Sequence, residues 1–596
     1  MRRADRTRVV FVSILGLAIL LVLVVKSFAT PPTAPGAATP VVPAAATGRS
    51  SAATGPAAAS GDVVPILFWT NDTKADWVKA VTQRFNAQQR QIDSGQVIQV
   101  EVQQGDSPDA LREMLAGTLQ PAAFSPGEMS WVNQTNATWE EQHGRPLVTA
   151  ECPRLVYTAI GFGMWQPMAE ELGWPNPISW QDIIDLAADP QGWTSYGHTE
   201  WGQFKFGHTN PDSSNTGLLA LTSLAYAAAG VGEDLTPGLL YGSQVREAFH
   251  ELELRTHHYG TSTRALCEAM AAHGPAYLHA ITTSEINVQA CNYYQYELEP
   301  KLWNRLVFFA PEEGTFWSDN PFCLLDEEWV TDEQRAAAEV YRDYLLSREA
   351  QEIAIDEWLR PADPDIPLRA PIDRAHGVDP GMTIESVPSL PSVSGETTNA
   401  VIDLFRQTKR PATIVVLLDT SQSMEGSKLT RALAGTKAFM DFLERDDELI
   451  IFRFGSDVAP LAPSGRVAEI KETLGKTIEG LFAEGNTVLY DAVCEGMETL
   501  LALQAEHEAA GEPRLYGMVL LSDGEDTSSE HTEGEMLYSC LPVTEAVTGI
   551  KVFTIAYGED ANEELLARIA NRTNANFYTA DPETIAAIYE WIAYEQ

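Results

Sequence analysis

Basic residues are scarce in this chain. Only 40 Lys and Arg residues stand against 83 Asp and Glu residues, which gives a formal net charge of −43 over 596 residues. An acidic surface repels phosphate, so nucleic acid is disfavoured as a partner, and a solvated acidic surface is the simpler interpretation. The apolar fraction of 44% indicates a folded protein, and the length predicts several domains, roughly four at about 150 residues each.

The sequence also lacks the motifs of common enzymes. It contains no His-Glu-x-x-His pattern, no Ser-His-Asp arrangement and no phosphate-binding glycine loop with a lysine. His208, in the stretch Gly-His-Thr-Asn, is the best candidate for a general acid or base. A loop histidine without an identifiable partner is more often structural or ligand-contacting, so we expect a binding protein rather than an enzyme.

Cysteine is rare, and its spacing does not fit the usual zinc motifs. No two of the six cysteines form a CxxC pair, so a zinc site is not expected. Four lie in the middle of the chain and two near its end. This even count in each region fits disulfides in an exported chain, and free buried thiols are the alternative. The cysteines are Cys152, Cys267, Cys291, Cys323, Cys494 and Cys540.

One apolar run, over residues 9–25, approaches the length needed to span a bilayer. Arginines precede it, and a positive flank keeps the first residues inside and sends the rest outward. Residues 1–29 are therefore predicted as a single-pass anchor in the cell membrane, with the domains extracellular or periplasmic. A cleaved secretory signal ending at Ala29 is the alternative. Residues 30–62, rich in Pro, Ala, Ser and Gly, are predicted as a linker.

A strand, a polar loop and a helix recur three times near the start of residues 63–374. Such loops offer backbone N–H groups and hydroxyls at helix starts, which bind anions or polar solutes. A fourth polar helix start follows at residues 214–216. Each hydroxyl alone could simply cap its helix, with a stabilisation of about 1 kcal/mol, but together we interpret the loops as one binding cleft. The candidate ligand-binding residues are Thr70, Asn71, Gly105, Ser107, Ser125, Ser214, Asn215 and Thr216.

This spacing, with the supporting stretches 164–174 and 311–321, resembles the extracellular solute-binding proteins. The resemblance covers residues 63–374 and implies two α/β lobes around a cleft for a small polar or anionic solute. Buried aromatic side chains more often belong to a core, but four could line the cleft. These aromatic candidates are Trp69, Tyr293, Tyr294 and Trp317.

The most informative stretch is the apolar strand that ends at Asp419. Ser421 and Ser423 follow at alternate positions, so the three side chains are expected to meet above the carboxyl end of the strand, where α/β sheets bind ligands. Thr487 lies on a loop that enters a helix, and Asp523 follows another apolar strand. Hydroxyls and carboxylates are hard oxygen ligands suited to Mg²⁺.

This ordered set of five residues resembles the metal-ion-dependent adhesion site of von Willebrand factor type A domains. The resemblance implies direct contact of Ser421, Ser423 and Thr487 with a Mg²⁺ or Mn²⁺ ion. It also implies that Asp419 and Asp523 act mainly through water. An ion with few direct carboxylates keeps residual positive charge, so it could accept an acidic group from a partner protein.

One position departs from that family. Gln422 stands where the family usually has Gly, and its side chain could shield the ion or change partner choice. Strands and helices alternate through residues 412–596, which predicts a doubly wound, Rossmann-like α/β domain. Residues 375–411 contain several Pro, Ser and Gly residues and are predicted as a second linker, with a short helix at 401–406.

The sequence predicts a bacterial protein that is anchored in the membrane and functions outside the cell in binding and adhesion. The metal site would engage a protein ligand, and the two-lobed cleft would take a polar solute. The alternative is a solute receptor of an ABC-type transport system, with the terminal domain as a docking module.

Overall fold

The computed structural model of this protein describes residues 63–105, 107–297, 303–541, 549–558 and 561–596. The predicted anchor and first linker, residues 1–62, lie outside the described residues. Within the described ranges, no helix has both the length and the apolar character needed to cross a membrane. The anchor therefore stays a prediction.

Strands and helices alternate through most of the described chain. The strands are β1 (Val63–Asn71), β2 (Val97–Gly105), β3 (Ala123–Ser125), β4 (Val156–Trp165), β5 (Phe206–Thr209), β6 (Thr256–Gly260), β7 (Ala280–Ser284), β8 (Leu306–Phe309), β9 (Trp317–Ser318), β10 (Cys323–Leu324), β11 (Arg360–Pro361), β12 (Ala412–Asp419), β13 (Glu448–Phe454), β14 (Val458–Pro460), β15 (Gly465–Arg466), β16 (Leu515–Ser522), β17 (Ile550–Tyr557) and β18 (Phe577–Ala580). The longer helices are Ala75–Ala87, Ser107–Leu115, Met129–His143, Trp180–Ala188, Asn215–Ala229, Ser243–Arg255, Thr263–His273, Glu285–Glu297, Asp332–Leu345, Arg348–Asp356, Gly395–Thr408, Ser427–Phe442, Val467–Glu479, Leu489–Ala510, Glu563–Arg572 and Ile585–Glu595.

The middle of the chain folds into two lobes, each with its own sheet and buried core. The first sheet has the order β10-β3-β1-β2, with β1 parallel to β2 and β3. The second has the order β11-β4-β7-β5-β6, and β8 and β9 also pair with β4. The chain passes between the lobes at the start of β4, between β9 and β10, and just before β11.

Polar residues meet at the carboxyl edge of the first sheet. The parallel register places Asn71 beside Gly105 and Thr70 beside Ser125. The loops after β1, β2 and β3 therefore start from the same edge, because parallel strands end together.

The predicted second linker, 375–411, packs against the second lobe. Ser389 forms a parallel bridge with Thr315, and the helix Gly395–Thr408 buries Leu404 in the core of that lobe. Its Pro and Ser residues do interrupt regular structure, as the composition indicates. The apolar side chains between those breaks are nevertheless buried, and this tertiary packing holds the segment in place.

The terminal domain is one sheet with helices on both faces. The strand order is β14-β13-β12-β16-β17-β18, and β15 also pairs with β13. The pairs β13–β14 and β13–β15 are antiparallel, and the other described pairs are parallel. Alternate residues of β12 enter different cores: Val416 packs with the helix Ser427–Phe442, whereas Val415 and Leu417 pack with the helix Leu489–Ala510. The predicted doubly wound α/β fold is confirmed.

All six cysteines form disulfides, so the structure favours disulfides over free thiols. The pairs are Cys152–Cys323, Cys267–Cys291 and Cys494–Cys540. The first pair lies next to two of the passages between the lobes. The third pair lies within the terminal domain.

Candidate functional site

Asp419 is fixed at the carboxyl end of β12. The residue is fully buried. Its Oδ1 accepts a hydrogen bond from the backbone N–H of Ser421 at 2.9 Å, and its Oδ2 accepts one from the hydroxyl of Ser522 at 2.7 Å. Burial raises the pKa of Asp419 above its usual value, and the hydrogen bonds from Ser421 and Ser522 offset only part of this effect.

The two predicted serines link Asp419 to the second carboxylate. Ser421 Oγ lies 2.9 Å from Ser423 Oγ, and the Ser423 hydroxyl donates to Asp523 Oδ1 at 2.7 Å. Asp523 is buried, whereas Ser423 is exposed. Four of the five predicted residues thus belong to one hydrogen-bonded cluster above the ends of β12 and β16.

Thr487, the fifth predicted residue, is joined to this cluster through the backbone. The N–H of Gln422 donates to the carbonyl of Gly485 at 3.1 Å, which connects the serine loop to the loop that carries Thr487. The N–H of Thr487 donates to Thr527 Oγ1 at 2.9 Å, on the loop that follows β16. The structure therefore brings all five predicted residues to one edge of the sheet.

This donor set fits a hard divalent cation. Hydroxyl and carboxylate oxygens are the ligands that Mg²⁺ prefers, and the set contains no soft sulfur or imidazole donor. The side chain of Gln422 is exposed, and its amide donates to Glu425 Oε2 at 2.7 Å. Gln422 is thus engaged by a neighbour on its own loop.

Sequence reasoning missed two residues of the site. Lys428, at the start of the helix Ser427–Phe442, donates from Nζ to Asp523 Oδ2 at 2.8 Å. No sequence pattern pairs these two residues, which lie on different elements. Ser522 could have been found from the sheet register. Leu418 pairs with Leu521 in the parallel strands β12 and β16, so the next residues, Asp419 and Ser522, lie side by side.

The predicted cleft residues converge around Gly127. A Cβ atom built on Gly127 would lie 3.1 Å from Asn71 Nδ2 and 3.7 Å from Asn215 Nδ2. The N–H of Gly127 also donates to Ser107 Oγ at 3.4 Å, and Ser125 is two residues away. Loops of both lobes thus meet at one point, and their binding of a ligand stays a prediction.

A direct hydrogen bond joins the lobes at this point. Trp131 Nε1–H, in the first lobe, donates to Asn215 Oδ1, in the second, at 2.8 Å. Ser214 caps the helix Asn215–Ala229, accepting from the N–H of Gly217, so the capping alternative holds for that hydroxyl. Thr216 lies half-buried in the first turn of the same helix.

A buried lysine ties the cleft loops together. Lys74 Nζ donates to Asn71 Oδ1, to the carbonyl of Ser125 at 2.9 Å and to Asn320 Oδ1 at 3.2 Å. Burial lowers the pKa of Lys74 well below its usual value, and the carboxylate of Asp319 opposes this in part. Lys74 joins two loops of the first lobe to a passage between the lobes. Nothing in the sequence around Lys74 indicates this role, because a lysine in a polar loop is usually exposed.

Glu128 is a second buried ionisable residue beside the cleft. Burial raises its pKa to about 8. Its Oε1 accepts a hydrogen bond from Ser392 at 3.4 Å, and hydrogen bonds from Ser130 and Ser392 offset part of the effect of burial on its pKa. Ser392 precedes the helix Gly395–Thr408, so this segment of the second lobe reaches the first lobe at the edge of the cleft.

The aromatic candidates have different surroundings. Trp69 belongs to the core of the first lobe and Trp317 to the core of the second. Tyr293 is half exposed, and the side chain of Tyr294 lies outside the described residues.

His208 is a core residue rather than a cleft residue. It is fully buried, with Nε2 3.1 Å from Glu253 Oε1 and Nδ1 3.0 Å from the carbonyl oxygen of Thr209. Tyr259 donates to the other oxygen of Glu253 at 2.7 Å. The cluster joins β5 and β6 to the helix Ser243–Arg255, which is a structural role.

Two family models match the chain. Residues 413–591 match the von Willebrand factor type A domain, and residues 66–357 match the bacterial extracellular solute-binding proteins. The protein therefore combines a solute-binding domain with a von Willebrand factor type A domain, as the sequence resemblances implied. Both kinds of domain are typically binding modules rather than enzymes, and the solute-binding domain indicates a periplasmic or extracellular location.

Individual relatives cover only parts of the chain or differ widely in sequence. An uncharacterized protein of Synechocystis sp., sll0103, is 30% identical over 162 residues, which are 27% of this chain and 35% of that protein. The chain thus spans about a third of the length of that relative. The sulfate-binding protein SubI from Mycobacterium tuberculosis H37Rv is 15% identical, covering 55% of this chain and 97% of SubI, with a TM-score of 0.37. A von Willebrand factor type A structure from Catenulispora acidiphila is 18% identical, covering 31% of this chain and 42% of that chain, with a TM-score of 0.26.

Proposed function

We propose that this protein is a membrane-anchored binding and adhesion protein whose terminal domain holds Mg²⁺ or Mn²⁺ and so binds an acidic residue of a partner protein. The observation that carries this proposal is the hydrogen-bonded cluster of Asp419, Ser421, Ser423 and Asp523. The hydroxyls of Ser421, Ser423 and Thr487 would hold the ion directly, and the two carboxylates would act mainly through water. The ion then keeps positive charge to attract a carboxylate.

The proposal is tested by binding of the full chain to an array of extracellular proteins, first in Mg²⁺ and then in EDTA. We expect a partner whose binding is lost in EDTA, returns with Mg²⁺ and falls when the acidic residues of the partner are neutralised. Binding that persists in EDTA for every partner would contradict a metal-dependent contact.

Replacing Lys428 by Gln is expected to strengthen Mg²⁺ binding about fivefold, or about 1 kcal/mol, because a neighbouring like charge is removed. The same change leaves the buried carboxylate of Asp523 without its cation, which also favours metal binding. Calorimetric titration of the full chain with Mg²⁺ measures the difference. Lys437→Gln is the matched control, since Lys437 pairs with Glu479 on the exposed surface. Unchanged or weaker Mg²⁺ binding by Lys428→Gln would refute the idea that the Lys428 ammonium competes with the ion for Asp523.

We also propose that the two-lobed cleft holds a small polar or anionic solute. The meeting of Asn71, Ser107 and Asn215 around Gly127 supports this, because amides and a hydroxyl from both lobes offer hydrogen bonds at one point. The same convergence favours the second candidate function, a solute receptor of an ABC-type transport system. Mass spectrometry of natively purified full chain identifies the solute, and uptake of that solute by cells with and without the protein separates the two functions.

Asn215→Ala is expected to weaken solute binding about 2- to 10-fold, since one net hydrogen bond contributes about 0.5–1.5 kcal/mol. The change also removes the acceptor of Trp131, so closure of the lobes is affected as well. Titration of the full chain with the solute found by mass spectrometry measures the affinity. Asn176→Ala, at an exposed asparagine of the second lobe, serves as the control. Equal affinities in both variants would remove Asn215 from the site.

A further inference from the structure

Cys494, Cys540 and His531 come together in the terminal domain, although they are far apart in sequence. The possible ligand atoms of these three residues lie within 4.8 Å of one another. Cys494 and Cys540 are joined as a disulfide. In the described part of the chain, this is the one group of at least three Cys, His, Asp or Glu side chains with its ligand atoms so close.

A carboxylate fixes the orientation of the histidine ring. His531 Nδ1 lies 2.7 Å from Asp491 Oδ1, and the backbone N–H groups of Glu530 and His531 donate to the same carboxylate, both at 2.9 Å. Metal-binding histidines commonly hold one ring nitrogen on a carboxylate in this way, which orients the other nitrogen and raises its basicity. Nε2 is therefore the ring atom available to a metal.

Asp491 and Cys494 share one face of the helix Leu489–Ala510, because they are three residues apart. The helix thus supplies one sulfur and the group that holds the histidine. The segment after β16 supplies His531 and Cys540.

We propose that the Cys494–Cys540 disulfide, once reduced, becomes a Zn²⁺ site formed by the two thiolates and His531 Nε2. Zinc takes sulfur ligands at about 2.3 Å and nitrogen ligands at about 2.0–2.1 Å in tetrahedral geometry, so two thiolates on one ion stand roughly 4 Å apart. A disulfide holds its sulfurs about 2 Å apart, so the two sulfurs would have to separate by roughly 2 Å after reduction. A water molecule would complete four ligands.

The reductant is a small thiol. The S–S bond breaks, two molecules of the thiol are oxidised to their disulfide, and their hydrogens end on the sulfurs of Cys494 and Cys540. Binding of Zn²⁺ then releases those two protons to water, since the thiolate is the ligand.

The site is accessible to both reagents. His531 is exposed, and Cys494 and Cys540 are half-buried. Of the other four cysteines, Cys267, Cys291 and Cys323 are buried and Cys152 is half-buried.

The disulfide now links the helix Leu489–Ala510 to the segment after β16, and the bound metal would keep these two segments linked. The Tyr490 N–H at the start of the helix donates to Ser529 Oγ at 3.1 Å, and Thr527 bonds to Thr487. The loop between β16 and Cys540 thus supports one of the five predicted adhesion-site residues. Reduction alone releases one end of this loop, and Zn²⁺ would hold it again.

Cobalt provides the test, because a thiolate–cobalt bond produces an intense charge-transfer absorption. The full chain is reduced with a phosphine, which takes oxygen from water as it becomes the phosphine oxide, and is then titrated with Co²⁺ in excess Mg²⁺. We expect one Co²⁺ per chain with thiolate absorption after reduction and none before it. Zn²⁺ should displace this cobalt, and the double change Cys494→Ser with Cys540→Ser should abolish the band.

Variants of the histidine and its aspartate distinguish cobalt bound at this site from cobalt bound by the other reduced cysteines. Asp491→Asn is expected to weaken Co²⁺ binding about 10- to 100-fold through the histidine, and His531→Ala should weaken it at least as much. His376→Ala is the matched control, because His376 also bonds an aspartate, Asp373, but has no cysteine in such a group. The band should persist in Asp419→Ala, which separates this site from the adhesion site.

Several results would overturn the zinc site. The reduced chain could show no thiolate band, or the band could survive the double cysteine change. His531→Ala and Asp491→Asn could also bind Co²⁺ as tightly as His376→Ala does. Circular dichroism of each reduced variant reports the fold, and a reduced wild-type chain that unfolds without binding cobalt would also overturn it.

Discussion

The Asp419→Ala protein is expected to unfold at the same temperature with and without Mg²⁺, whereas the unchanged protein should unfold at a higher temperature when Mg²⁺ is present. A ligand that binds only the folded state at 100 times its Kd stabilises that state by about 2.7 kcal/mol. Asp419 fixes the serine loop through the Ser421 N–H and is held in turn by Ser522. Its removal disorders the ligand set and takes one negative charge from the site. Scanning calorimetry of the full chain over a series of Mg²⁺ concentrations measures this effect.

Asp447→Ala is the matched control for that experiment. Asp447 is also a buried aspartate of the terminal domain, but it accepts from the N–H groups of Ala412 and Glu444 at the opposite end of β12. This variant should lose stability yet keep its full response to Mg²⁺. A response of Asp419→Ala equal to that of Asp447→Ala would end the assignment of the metal site.

Glu285→Ala is expected to destabilise the solute-binding domain by about 3–5 kcal/mol, because it leaves a buried guanidinium without its counter-charge. Glu285 accepts two hydrogen bonds from Arg360, both at 2.7 Å, and both side chains are buried. Arg360 also donates to the carbonyls of Asp379 and Met382. The pair thus anchors the predicted second linker to the lobe.

Urea unfolding followed by tryptophan fluorescence tests this expectation. Every tryptophan except Trp591 lies between Trp69 and Trp358, so the signal reports mainly on the solute-binding domain. Glu352→Ala is the control, because its exposed pair with Arg348 should contribute only about 0–1 kcal/mol. Similar losses in both variants would show that burial of the Arg360 pair does not matter.

The positions of the candidate metal-site residues could be predicted because they follow from local rules. Alternation along the chain after β12 places Asp419, Ser421 and Ser423 together, and parallel strands end at one edge, which brings in Asp523. The same reasoning placed the cleft loops after β1, β2 and β3. Each of these inferences needs only the direction of a strand and the residue that follows it.

The remaining features depend on contacts between distant segments, which local patterns do not report. Lys428 reaches Asp523 because the start of the helix Ser427–Phe442 packs against the loop after β16. Lys74 is buried because its partners come from three separate loops. The segment 375–411 has the composition of a linker, yet its apolar side chains find a core in the second lobe. The grouping of His531 with Cys494 and Cys540 likewise appears only after folding.

The helix Gly395–Thr408 also joins the second lobe to the terminal domain through ion pairs on both sides. Its residue Arg406 pairs with Asp212 of the second lobe and lies 3.7 Å from Glu444 of the terminal domain. β12 begins four residues after this helix ends. A partner bound at the proposed metal site would therefore transmit force to this helix through only a short connecting segment. Ser392, just before this helix, bonds to Glu128 beside the proposed cleft, so one path of covalent and hydrogen bonds would connect the proposed metal site to that cleft.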